Sequence, residues 1–171
     1  DRFPDAPLAA AVRYRALRTI GAGQSPFDAW VTLQGVETLP LRMDRHCANA
    51  RLVAAYLSDH PAVEWVAYPG LAGHETHDAA NEYLDGYGGM GGVGLAGGYD
   101  AARDLCEDGG LASFLADVGD ARTLVVHPAS TTHSQLSAEE QRAAGVAPEL
   151  VRISVGLEDP ADICADLAEV L

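Results

Sequence analysis

Residues 150–155 read LVRISV and residues 160–171 read PADICADLAEVL. The first stretch is short and β-branched, which predicts a strand. The second opens on Pro160 and repeats Ile163, Leu167 and Val170 at helical spacing, which predicts a closing amphipathic helix with those three residues inward. Working outward, Val63 to Tyr68 reads as a strand stopped by Pro69-Gly70. Residues 86–98 are dense in glycine around Val93 and Leu95, as in a strand whose glycines admit another part of the chain. Phe114 to Val118 and Thr123 to Val126 are also strand-like. Helical patterns cover His74 to Leu84 and Asp100 to Cys106, and Ser137 opens another with Glu139, Glu140 and Arg142.

Towards the N-terminus, residues 7–20 are helical until Gly21-Ala22-Gly23. Ser25-Pro26 then supplies an N-cap and a proline at the first helical position. From Phe27 to about Asp59 a long helix is expected, with Trp30, Leu33, Val36, Leu39, Met43 and Cys47 on one face and a kink or break at Pro40. Short strands among helices, without regular βαβ alternation, give an expected α+β fold class. It is a small, mostly antiparallel sheet with helices on one face, preceded by a long helix.

The chain has 171 residues, 48% of them hydrophobic, and a formal net charge of −14. That length suits one domain or little more, with a real core. The negative field speaks against nucleic acid and anionic membranes as partners. No apolar run is long enough for a bilayer, and no secretory signal opens the chain. A cytoplasmic location is expected, which Cys47, Cys106 and Cys164, scattered and odd in number, also fit. Beginning on Asp1 suggests a processed or excised polypeptide. All 11 basic residues are arginine. The absence of lysine excludes a P-loop lysine, a Schiff-base lysine and a lysine base from this chain. A lysine-free, Asp-rich surface suits a high-salt cytoplasm or reflects a GC-rich genome.

Most motifs resolve to structure. Gly89 to Gly94 matches G-x-G-x-x-G, but a helical aromatic stretch precedes it and no helix opens after it, contrary to a dinucleotide loop. His74 and His77 lack a third metal ligand at suitable spacing. Ser130 to Ser134 lacks the strained nucleophile turn of a hydrolase and reads as a loop whose hydroxyls satisfy backbone groups. Arg152 differs, because Val151 and Ile153 beside it face the other side of the strand. A charge there is costly unless it finds an anion. Two readings stay open: an ion pair with an internal Asp or Glu, or a fork gripping a bound carboxylate.

Ser25-Pro26 with AWVTLQGVETLPLRMDRHCANA (29–50), HPAVEWVAYPGL (60–71), VGDARTLVVHPASTTHSQLSAEEQ (118–141) and LVRISVGLED (150–159) together resemble the cysteine/methionine-metabolism family of pyridoxal-phosphate enzymes. The likeness runs from about Arg13 to the end, and its character is nearest the O-acetylhomoserine sulfhydrylases, with methionine γ-lyases second. It implies the C-terminal domain of a fold type I enzyme, with residues 1–24 a helix and linker from a missing large domain and residues 25–171 the small domain. It implies pyridoxal phosphate as cofactor, bound mainly by that large domain, which also carries the Schiff-base lysine. Arg152 matches the family arginine that binds the substrate α-carboxylate. Asp117 falls near the same carboxylate, where relatives place Asn or Ser. No catalytic, cofactor-binding or metal-binding residue is implied within this chain. The 130–133 loop is expected to border the substrate entrance.

The implied reaction replaces acetate on the amino acid by sulfide or a thiol, giving homocysteine or methionine. Alone, the lysine-free chain is expected to be inactive. Its partners are then a lysine-bearing large domain or subunit and an amino-acid substrate, in a homo-oligomer when complete. The alternatives are a natural subunit of a split enzyme, such as a methionine γ-lyase-like one, and an inactive isolated domain.

Overall fold

A computed structural model describes residues 6–171, so the first five residues of the expected 1–24 segment lie outside the described ones. The chain divides into two compact units, Asp1–Pro40 and Leu41–Leu171. In the first, α1 (Pro7–Ala11) continues through a π-helical stretch, Val12–Leu17, into α2 (Arg18–Ile20), and Gly21 ends the run at φ 76°. That left-handed backbone is where glycine is favoured.

Helix α3 (Pro26–Glu37) starts with a capping box: the Asp28 N–H donates to Ser25 Oγ at 3.1 Å, and the Ser25 N–H donates to the Asp28 carboxylate at 3.3 Å. The expected long helix is interrupted at Thr38, and α4 (Leu39–Ser58) begins immediately after it. Pro40 thereby occupies the first turn of a new helix, where its missing N–H costs nothing. Trp30, Leu33, Val36 and Leu39 are all exposed, so the expected stripe is not the one that builds the core.

The second unit holds a five-stranded sheet: β1 (Val63–Ala67), β2 (Met90–Leu95), β3 (Ser113–Phe114), β4 (Leu124–Val126) and β5 (Leu150–Ser154), in the order β1-β2-β5-β4-β3. The α+β class is as expected. The sheet is mixed: β1–β2, β2–β5 and β4–β5 are antiparallel as expected, and β3–β4 is a parallel pair that the expectation did not include. Helices α5 (His77–Tyr83), α6 (Gly98–Asp108), α7 (Ala138–Ala143) and α8 (Pro160–Val170) complete the unit.

The core lies on one face of this sheet. Val93, Leu95, Val125, Val151 and Ile153 pack against Ala50, Val53, Ala54 and Leu57 of α4, Leu105 and Cys106 of α6, and Ile163 and Leu167 of α8. Val170 is only half-buried. Burial, with Glu107 nearby, pushes the Cys106 thiol up to about 12, so this cysteine behaves as a small hydrophobe.

The core stripe of α4 also contains two polar residues, His46 and Asn49. His46 Nδ1–H donates to the Val155 carbonyl at 2.7 Å, and Asn49 Nδ2 donates to the carbonyls of Gly156 at 2.9 Å and Glu158 at 2.8 Å. These bonds capture the carbonyls of the chain as it leaves β5, while the N–H groups of Val155 and Leu157 donate to the carbonyls of Gly89 and Ala121, each at 2.8 Å. Glu158 reaches on to Thr123, accepting from its N–H and, at 2.9 Å, from its hydroxyl. The start of β4 and the end of β5 are thus locked together.

Among the described residues, no helix is long and apolar enough to cross a membrane.

Candidate functional site

Arg152 lies in the middle of β5, with Gly92 of β2 and Val126 of β4 as its cross-strand partners. Its neighbours Val151 and Ile153 are buried in the core, so by strand alternation the arginine projects from the opposite face. There it lines an open cleft with Ala67, Met90, Gly92, Thr132, His133 and Leu150.

The G-x-G-x-x-G string explains the floor of this cleft. Gly92 and Gly94 are strand residues of β2, paired to both neighbours, and not a nucleotide loop. A Cβ on Gly94 would overlap the Trp65 indole, and one on Gly92 would stand 3.1 Å from Leu150 Cδ1 and 3.8 Å from the Trp65 ring. The glycines leave room for the Trp65 indole against the strand, as a close approach demands.

The charge in the cleft is one-sided. Among the described residues no carboxylate lines it, although the chain has 25 Asp and Glu. Arg103 pairs with Asp100, Asp104 and Glu107, and Arg122 pairs with Asp120. The Arg152 side chain makes no hydrogen bond or ion pair with any described residue. Of the two readings its sequence left open, the internal ion pair is absent among the described residues, where the half-buried guanidinium fork has no carboxylate partner.

Asp117 is placed differently. It is exposed, and its carboxylate accepts from the Val118 N–H at 2.7 Å. It does not line the Arg152 cleft. Its loop returns to the sheet at Gly119, whose N–H donates to Ser154 Oγ at 3.3 Å, two residues along β5 from Arg152.

The wall of the cleft comes from the segment after β4, where hydroxyls satisfy the backbone as expected. Thr131 Oγ1 donates to the His127 carbonyl at 2.7 Å. His127 is fully buried, its Nε2–H donating to the Pro148 carbonyl at 2.8 Å and its Nδ1 accepting from Ser130 Oγ at 2.9 Å. Gln141 of α7 donates to the carbonyls of Ala129 at 3.0 Å and His133 at 2.9 Å. Helix α7 is itself capped by the Ser137–Glu140 box. The sequence puts the 130–133 loop at the substrate entrance without assigning it a contact; that His133 of this wall and Met90 of β2 line one cleft with Arg152 depends on tertiary structure. Among the described residues, no cluster of His, Cys, Asp and Glu could hold a metal, and His74 and His77 make separate contacts with Thr76 and Pro69.

Residues 6–171 match the family described as Cys/Met metabolism PLP-dependent enzyme. The chain belongs to that family. It is 48% identical to the homocysteine synthase of Schizosaccharomyces pombe, over 100% of this chain and 40% of the relative. It is 49% identical to O-acetyl-L-homoserine sulfhydrylase 1 of Thermus thermophilus, over 100% of this chain and 41% of the relative. A crystal structure of a putative O-acetylhomoserine (thiol)-lyase from Campylobacter jejuni superimposes with a TM-score of 0.89 at 40% identity, covering 97% of this chain and 40% of that one. The chain thus spans about two-fifths of the length of these relatives.

The family's cofactor is pyridoxal phosphate, and the Campylobacter structure carries it as N'-pyridoxyl-lysine-5'-monophosphate. This chain contains no lysine, and its cleft offers neither an amine for a Schiff base nor a carboxylate to face a pyridine nitrogen. The residues present do not fit the cofactor. They fit an anion.

Proposed function

We propose that residues 25–171 form the substrate-binding small domain of an O-acetylhomoserine sulfhydrylase-like enzyme, with residues 1–24 a helix and linker leading into it. The complete enzyme replaces acetate on the amino acid by sulfide or a thiol, giving homocysteine or methionine. The unpaired Arg152 fork, in a cleft free of carboxylates within a strongly acidic chain, is the observation that carries this reading. The cofactor and its lysine come from a partner region, on the same polypeptide or on a separate subunit, and the chain alone is inactive.

Arg152 binds the α-carboxylate through two parallel hydrogen bonds and so fixes where the amine and the leaving group lie. This is positioning work, with no proton transferred at the guanidinium. Asp117, carried on the loop that Gly119 ties to Ser154, adds a negative charge near the same end of the substrate and weakens its carboxylate binding relative to Asn or Ser.

The test is reconstitution with the lysine-bearing region of the Thermus relative, following homocysteine formation from O-acetylhomoserine and sulfide. Arg152→Lys should raise KM for the amino acid by about 10–100-fold, because a point charge cannot replace a planar fork. An unchanged KM would remove Arg152 from the site. The L-methionine gamma-lyase of Fusobacterium nucleatum, 42% identical over 96% of this chain, supports a second reading. Release of methanethiol from methionine, in place of homocysteine formation, would select it.

A further inference from the structure

Two histidines six residues apart in the cleft wall have opposite hydrogen-bond accounts. Both ring nitrogens of His127 are engaged within the protein, by Ser130 and the Pro148 carbonyl. His133 is held just as firmly, but with one nitrogen left over. Its backbone N–H donates to the Pro128 carbonyl at 2.9 Å, and its own carbonyl accepts from Gln141. Its Nδ1 is 2.9 Å from Thr132 Oγ1. Its Nε2 has no partner among the described residues and is not sealed from solvent. The ring lines the same cleft as Arg152, and these are the two ionisable side chains in its lining.

We propose that His133 is a second substrate-contacting residue of the Arg152 cleft, donating from Nε2–H to the carboxylate that Arg152 grips. This rests on the carboxylate-binding reading of Arg152. With the Thr132 hydroxyl as donor in its 2.9 Å contact to Nδ1, the proton is held on Nε2, the logic by which one ring nitrogen sets the role of the other. A carboxylate has about four lone-pair sites, of which a bidentate arginine takes two, so a third donor has a place to bond. A histidine kept only for packing would have no need of an open donor in a cleft without acids.

The test uses the intact 171-residue chain, labelled with 15N on histidine and titrated with L-methionine as the carboxylate probe. The unliganded His133 ring should show the Nε2–H tautomer. Saturating probe should shift its Nε2 resonance while leaving both His127 ring nitrogens in place. Arg152→Ala should abolish saturable binding. His133→Asn should weaken it about tenfold, as expected for losing one hydrogen bond to a charged group. His133→Gln, whose amide reaches the position of Nε2, should stay within about threefold of the parent.

If Arg152→Ala abolishes binding while His133→Asn changes nothing and Nε2 does not respond, His133 is no ligand and the Arg152 reading survives. If the parent chain shows no saturable binding, or Arg152→Ala leaves it intact, both readings fall. The Nε2 response of the parent chain decides the matter even if a His133 variant does not fold.

Discussion

On one face of β5, Val151 and Ile153 are closed in by α4, α6 and α8; on the other, Arg152 faces a cleft floored by glycine and lined by no acid. The two faces belong to the same five residues and differ in what their atoms lack. The core side chains lack nothing, since each is surrounded by apolar neighbours that hold the sheet to its helices. Arg152 has no counter-charge among the described residues, a cost that the anionic substrate proposed above would remove. Stability is therefore expected to reside on one face and recognition on the other, and substitutions can separate the two.

The largest effect should come from the core face. Ile153→Ala removes a side chain only 3% exposed, from a position between Gly91 of β2 and Val125 of β4. The transfer and cavity terms together predict a loss of about 2–4 kcal/mol in urea unfolding. Carboxylate binding, measured where the variant is still folded, should be unchanged. Weakened binding by folded protein would show that the faces are coupled through the strand.

Gly94→Ala tests the packing of β2 beside β5. A new Cβ meets the Trp65 indole, which is half-exposed and can swing outward instead of deforming the strand. The expected cost is about 1–3 kcal/mol, the usual range for overpacking with partial relief. A change in tryptophan fluorescence should accompany it as the ring leaves the sheet. Unaltered fluorescence with full stability would mean that the glycine has no packing role.

Much of this arrangement was legible before any coordinates. Ser25 and Ser137 announce their helices by chemistry that acts within four residues, and both capping boxes form. Arg152 betrayed itself by interrupting an apolar strand. What stayed hidden depends on contacts distant in the chain. The core stripe of α4 was obscured because His46 and Asn49 are polar, and only the carbonyls beyond β5 explain their burial. The strand expected over 114–118 shortens to Ser113–Phe114, leaving Leu115 and Val118 exposed. Its approach is governed by Asp166 of α8, whose carboxylate accepts from the N–H groups of Gly110, Leu111 and Ala112 at 2.6–2.9 Å. The STTHS string announced a hydroxyl-rich loop, but which of its side chains would face Arg152 depends on how Gln141 and His127 fold it.

The smallest stability effect should come from Arg152 itself, where the two faces differ most. Arg152→Met keeps a long side chain and removes the charge. Because no carboxylate is left behind unpaired, the usual penalty for breaking a buried ion pair does not arise, and stability should move by no more than about 1 kcal/mol in either direction. Binding of a carboxylate probe should be lost in the same variant. A loss of about 3 kcal/mol or more would imply a counter-ion inside the folded chain, and Arg152 would then be a structural cation like Arg103. Near-neutral stability with lost binding would instead mean that the strand carries its arginine for a ligand and holds together without it.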